Sequence, residues 1–119
     1  MGNKLTSDPD INGILTLGPT ASTPVLQALQ QANKVGQIKF ATFDLSTDVL
    51  NAIKDGDMLF AIDQAQYLQG YLAIVYMTQY LKTGALPLGG ADGVTLTGPQ
   101  FVTKDNAADV IKFTEEGVR

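Results

Sequence analysis

The sequence predicts an α/β fold, a parallel three-layer sheet in which strands alternate with helices. Three junctions carry that expectation. Short apolar runs ending near Leu17, Phe43 and Ile62 pass directly into helical patterns, through Gly18-Pro19-Thr20, Asp44-Leu45-Ser46 and Asp63-Gln64. Short βα connections give right-handed parallel crossovers, so the three strands should lie side by side with their carboxyl ends on one edge. Open α/β sheets bind ligands beyond that edge. A length of 119 residues fits one domain and can bury a core without disulfides or metals.

Residues 2–10 read as a polar lead-in and residues 12–17 as the first strand. Gly18-Pro19 ends it, because proline offers no amide and fixes its own φ. Thr20, Ser22 and Thr23 suit an N-cap and Pro24 a first helical turn. Val25, Leu26, Leu29 and Ala32 then recur at helical spacing until Asn33 and Gly36. Residues 38–43 form the second strand. Ser46 is placed to cap the next helix, with Asp48 in its first turn, where the helix dipole favours negative charge. Val49, Leu50 and Ile53 make its buried stripe, and Asp55-Gly56 supplies the turn into a third strand at residues 58–62.

A longer helix is predicted over residues 66–82. It is apolar around most of its circumference, the pattern of a helix buried on more than one side. Tyr67, Tyr71, Tyr76 and Tyr80 recur at helical spacing, which reads as core packing and not as a sugar-stacking platform. Gly84 and Pro87 end the helix, and Gly89-Gly90 reads as a turn. Residues 94–97 read as an extended edge segment closed by Gly98-Pro99 and continued by residues 101–103. Asn106 caps a last short helix through Phe113. Glu115 and Glu116 oppose the dipole there, so that end is expected to fray.

The chain has no cysteine and no histidine. That removes thiol chemistry, zinc-finger patterns, imidazole acid–base catalysis and Ser-His-Asp triads. The formal charge is −4, with eight basic residues scattered along the chain. This disfavours nucleic acid and anionic membrane surfaces as partners. The apolar stretch 67–81 is broken by Gln69, Gly70, Thr78 and Gln79 and is too short and polar to span a bilayer. No phosphate-binding glycine motif is present, and no cofactor or metal is implied. Met1-Gly2-Asn3-Lys4 lacks the apolar core of a signal peptide. As written, the chain would act in the cytoplasm or be cut from something longer.

An ordered set of segments points further. Asp8-Pro9-Asp10-Ile11-Asn12-Gly13-Ile14 precedes a strand, Phe43-Asp44 and Ile62-Asp63-Gln64 end the next two, Tyr67-Leu68-Gln69-Gly70-Tyr71 opens an apolar helix, and residues 97–106 close the set. Together they resemble the C-terminal part of periplasmic sugar-binding proteins of ABC transporters, the ribose/galactose type of the type I family. The resemblance implies two α/β lobes joined by three crossovers, with the sugar held between them. This chain would be a single partial lobe: residues 11–63 as βαβαβ, 64–85 as an apolar helix crossing the hinge, 93–106 as a returning edge segment, and 107–119 as a C-terminal helix. It further implies a monosaccharide ligand, a transporter permease as partner of the full-length parent, a periplasmic location and no catalysis.

The candidate site residues follow. Asp44 ends an apolar strand, so its carboxylate should reach the sheet edge. The resemblance has an acid there accepting hydrogen bonds from vicinal sugar hydroxyls; the plain alternative is a capping aspartate. Gln64 matches the family's amide at the hinge, against simple polarity at a helix start. Asp63 reads first as a solvated or capping residue and second as a ligand contact. Gly18 stands where family members often carry an amide. Thr20 could compensate with its hydroxyl, and bare loop chemistry explains both positions equally well.

Three other functions compete. One is the effector-binding core of a LacI-type transcription regulator, which needs a DNA-binding headpiece. Another is a truncated lobe that binds nothing. The third is a receiver-like enzyme using Asp44 and Asp63 around Mg²⁺, disfavoured because receivers need acidic residues where Gly18 and Pro19 stand. An apolar helix and an unpaired edge strand at residues 12–17 also predict a homodimer or higher oligomer, for which exchange of the 66–103 region between chains is one route.

Overall fold

Among the described residues, apolar positions alternating along short strands, with helical stripes between them, fold into a four-stranded sheet and five helices. The computed structural model describes residues 2–86 and 93–119; the expected Gly89-Gly90 turn lies outside them. The order is α1 (Gly2–Ser7), β1 (Gly13–Thr16), α2 (Pro19–Gln31), β2 (Lys39–Phe43), α3 (Thr47–Asp55), β3 (Phe60–Asp63), α4 (Gln66–Thr83), β4 (Gln100–Thr103) and α5 (Ala107–Glu115). The strands lie in the order β1-β2-β3-β4. β1, β2 and β3 are parallel, as the junctions predict, and β4 runs antiparallel to β3.

The strand register divides the sheet into two unlike faces. Thr16, Thr42, Ala61 and Val102 lie in one row across it. With Phe40 they face Val25 and Leu29 of α2, Val49, Leu50 and Ile53 of α3, and Ala107 and Val110 of α5, most of them in one buried apolar cluster. Thr16 and Thr42 are buried but satisfied, since their hydroxyls hydrogen-bond each other at 2.7 Å. The opposite face carries Leu15, Ala41, Phe43, Phe60, Ile62 and Phe101. No packed helix covers it among the described residues, and Leu15 and Phe101 stay exposed. Phe60 and Phe101 meet edge-to-face there, 5.4 Å between centroids. The helical layer is thus complete on one side of the sheet only.

Several boundaries differ from the sequence reading, each for a local reason. Residues 2–7 form α1, and Leu5 is buried in the core cluster. α2 starts at Pro19, before the expected Thr20, Ser22 and Thr23 caps, because the Gly18 carbonyl accepts from the amides of Ala21 and Ser22 at 3.1 and 3.0 Å. Pro24 therefore lies inside the helix. Ser46 caps α3 as expected, accepting from the Val49 amide. Residues 94–97 form no strand. The edge strand is Gln100–Thr103, after Gly98-Pro99, because Ile62 and Asp63 pair with Phe101 and Gln100. The Asn106 side chain accepts from the Thr103 amide at 2.8 Å instead of bonding the first turn of α5. α5 runs to Glu115, two residues past the expected Phe113.

The largest difference is α4. Its 18 residues extend about 27 Å at helical rise, along a molecule 60 × 29 × 20 Å in extent. None of its residues is buried. The tyrosines are not core: Tyr67 and Tyr71 stack in the open with ring centroids 6.0 Å apart, and Tyr76 bonds Thr95. The helix has the composition of a buried element, but among the described residues only the segment around Thr95 lies against it and no residue of it is buried.

Two isoleucines test this division. Ile53 is 0% exposed and Ile74 is 62% exposed. Ile53→Ala should cost about 2–5 kcal/mol, while Ile74→Ala should stay within roughly 0.5 kcal/mol, both read from urea midpoints of the monomeric chain.

Candidate functional site

Parallel strands deliver their carboxyl ends to one edge, and three candidate residues arrive there. Gly18 follows β1, Asp44 follows β2, and Gln64 follows β3. The Asp44 amide donates to the Ile62 carbonyl at 2.9 Å, so the β2–β3 ladder continues one residue into the site. Asp44 then turns away with φ 60°, a left-handed conformation that aspartate tolerates better than most residues. Its carboxylate meets Gln64: the Gln64 Nε2 donates to Asp44 Oδ1 at 2.9 Å. A second amide that sequence reasoning missed joins them. Gln66 Nε2 donates to the same oxygen at 2.6 Å.

Asp63, one residue before Gln64, points the other way. It is 1% exposed and fully engaged. Its Oδ1 accepts from the Ala65 amide at 2.8 Å, an Asx-type turn. Its Oδ2 accepts from Arg119 Nε at 2.9 Å and forms an ion pair with Arg119 Nη2 at 2.8 Å. Arg119 also donates to Gln100 Oε1 at 2.9 Å. A buried carboxylate needs such partners, and Asp63 is therefore an internal anchor and not a solvated residue. Among the described residues no group of acidic side chains is arranged to hold a metal ion.

Two depressions flank the Asp44–Gln64 contact. One, of about 450 Å³, is lined by Pro19, Asp44, Ser46, Gln66, Tyr67 and Arg119, among others. The other, of about 410 Å³, is lined by Phe43, Ile62, Gln64, Leu96, Thr97 and Pro99, among others. Both contain apolar surface beside polar groups, the composition of a small-molecule site. Pro19 reaches the first depression, whereas Gly18 and Thr20 line neither; Thr20 is exposed on the first turn of α2. The edge thus brings Asp44 and Gln64 together and leaves the Gly18–Thr20 loop beside them.

The backbone at Gln64 is held from the far side. Its carbonyl accepts from Gln69 Nε2 at 2.9 Å and from Thr97 Oγ1 at 3.0 Å. Gly98 passes so close that an added Cβ would meet the Asp63 carbonyl oxygen at 3.0 Å and Gln64 Cα at 3.3 Å. Ala65 itself adopts φ 53° and ψ 56°, which costs a non-glycine residue roughly 1–2 kcal/mol. No side-chain pattern foretold these contacts, because each depends on which distant segment lies alongside.

The carboxyl edge of this α/β sheet thus gathers one carboxylate and two side-chain amides. The sequence profile described as "Periplasmic binding protein domain" matches residues 1–85, and the chain belongs to that family. It is 30% identical to the xylose/arabinose-binding protein of Sulfolobus acidocaldarius over 107 residues, 84% of this chain and 25% of that one. The crystal structure of a carbohydrate transporter from Acidothermus cellulolyticus 11B, in complex with myo-inositol, matches with a TM-score of 0.84 and 38% identity, over 99% of this chain and 40% of that one. A LacI transcriptional regulator from Bacteroides fragilis shares the fold, with a TM-score of 0.73 and 21% identity over 90% of this chain and 35% of that one. The fold is that of a type I periplasmic binding protein in part, and the chain spans a quarter of the curated relative's length and two fifths of the solved transporter's.

Gly98→Ala tests the close approach at Gln64. Both neighbours are backbone atoms and cannot swing aside, so the substitution should destabilise by about 1–3 kcal/mol. Its largest amide chemical-shift changes should fall at residues 63–65.

Proposed function

We propose that this chain is the C-terminal half of the sugar cleft of an ABC-transporter solute receptor, acting by binding without chemistry. The observation that carries the reading is the Asp44–Gln64 contact at the carboxyl edge. A carboxylate and a carboxamide together accept and donate to neighbouring hydroxyls, and they occupy the positions that the family resemblance assigns to sugar contacts. The names of the two relatives, a pentose-binding protein and a carbohydrate transporter with bound myo-inositol, support a neutral polyol as ligand. On this reading Thr20 and Gly18 border the site, and Asp63 supports it from behind. The natural partner is a transporter permease and the location is periplasmic. Among the described residues no helix is long and apolar enough to cross a membrane.

The domain assignment belongs to the same reading. Residues 11–63 form the lobe body, α4 crosses toward the opposing lobe, residues 93–106 return, and residues 107–119 close the body. The exposure of α4 supports it, since a helix apolar around most of its circumference with no buried residue lacks its packing partner. The same feature, with the uncovered sheet face, supports self-association of the 119-residue chain.

Calorimetry with D-xylose, L-arabinose and myo-inositol tests the site. At least one should bind, and Asp44→Ala and Gln64→Ala should each weaken it tenfold or more. Absence of heat with all three overturns the receptor reading of this chain; unchanged affinity in Asp44→Ala removes the carboxylate from the site. Light scattering tests the association. A dimer or larger species is expected at high micromolar concentration, and a monomer overturns it.

A further inference from the structure

Among the described residues, three carry a left-handed backbone without being glycine: Asn33, Asp44 and Ala65. Asparagine and aspartate visit that region readily, since their side chains can hydrogen-bond locally. Alanine has no such group, so its neighbours must enforce the conformation. The neighbour that does so is Asp63. Its Oδ1 accepts the Ala65 amide at 2.8 Å while Arg119 holds its Oδ2 at 2.9 and 2.8 Å. Arg119 is in turn fixed to Gln100 at the start of β4. The guanidinium therefore ties the end of β3 to β4 and sets the turn that opens α4.

The consequence appears on the other side of that turn. In a helix, residues two apart do not face each other; in a strand they face the same way but lie two residue rises, or about 7 Å, apart. The left-handed step at Ala65 brings Gln64 Nε2 and Gln66 Nε2 to a single oxygen of Asp44, at 2.9 and 2.6 Å. We propose that Arg119 is a positioning residue for the sugar site: by fixing Asp63 it holds the turn at Ala65 and so aims both amides at Asp44, with Gln66 a second amide of that site. The role assigned to Gln66 rests on the reading of Asp44 and Gln64 as sugar contacts; the positioning by Arg119 is a statement about geometry and is tested without sugar. With Asp44 Oδ1 engaged by the amide donors, the two Gln Oε1 atoms and Asp44 Oδ2 remain as acceptors for hydroxyl donors.

The experiment uses the ¹⁵N-labelled 119-residue chain and follows the side-chain amide signals of Gln64 and Gln66. Arg119→Ala should move both toward the positions of exposed glutamines. Glycine at 65 adopts the left-handed turn unaided, so adding Ala65→Gly to Arg119→Ala should return both signals toward their original places. A merely structural role for the ion pair would not be rescued by glycine at that position. If Arg119→Ala does not fold, the uncharged pair Asp63→Asn with Arg119→Gln gives the same readout, with and without Ala65→Gly. Glutamine signals unmoved by loss of Arg119, or moved and not restored by glycine, overturn the positioning. In calorimetry with whichever of D-xylose, L-arabinose or myo-inositol binds, Gln66→Ala should weaken affinity tenfold or more, and unchanged affinity removes Gln66 from the site. A chain that binds none of the three overturns the role of Gln66 together with the receptor reading, while the glutamine signals still decide the positioning by Arg119.

Discussion

The parallel pairing of β2 with β3 is the constraint on which the site depends. It places Thr42 beside Ala61 in the row facing the helices. Two residues later the ladder is still intact, with the Asp44 amide on the Ile62 carbonyl. A one-residue slip of β3 would turn Ala61 to the open face and Phe60 and Ile62 toward the core, and it would also carry Gln64 away from Asp44. Core packing and the meeting of Asp44 with Gln64 are therefore specified by one register. The burial of Phe40, Leu50 and Ile53, each side chain worth about 1.5–3 kcal/mol, holds in place two polar groups that by themselves contribute little to stability.

What was legible in the sequence was what local chemistry decides. Apolar runs meeting helical patterns located the three parallel strands and Ser46 announced the cap of α3; the strand end pointed to Asp44 and the family resemblance to Gln64, and these two side chains meet. Contacts between distant segments were not legible. Arg119 and Asp63 are 56 residues apart and form no pattern with each other. Gln66 reaches Asp44 only because Ala65 is left-handed, and nothing about an alanine predicts that. Val94, Thr95, Leu96 and Thr97 have strand-like composition, yet the strand forms after them. Strand propensity yields to tertiary context, and here the partner is the end of β3, which pairs with Phe101 and Gln100.

α4 shows the converse case, in which the sequence read the physics correctly and the described residues do not satisfy it. Leu68, Tyr71, Ile74, Met77 and Leu81 are the side chains of an element meant for an interior, and all are exposed. The uncovered sheet face has the same character. Contiguous exposed apolar surfaces mark interaction sites, and both of these lie outside the packed helical layer. The body of the lobe is complete enough to position its strand ends. What surrounds α4 belongs to whatever covers it, whether the opposing lobe of a receptor or another copy of the chain.

The junction between β3 and α4 joins these two parts, and strand periodicity explains how it serves both. Side chains alternate along a strand, so Asp63 falls on the face of Ala61, toward the helices, and Gln64 on the face of Ile62, away from them. The first position is buried and must be paired, and Arg119 and the Ala65 amide satisfy it. The second is open and meets Asp44. Read as adjacent polar residues after an apolar run, Asp63 and Gln64 look like equivalent candidates for a ligand. The two-residue period separates them into an anchor and a contact, and that parity was available in the sequence once the end of the strand was placed at Asp63 and not at Ile62.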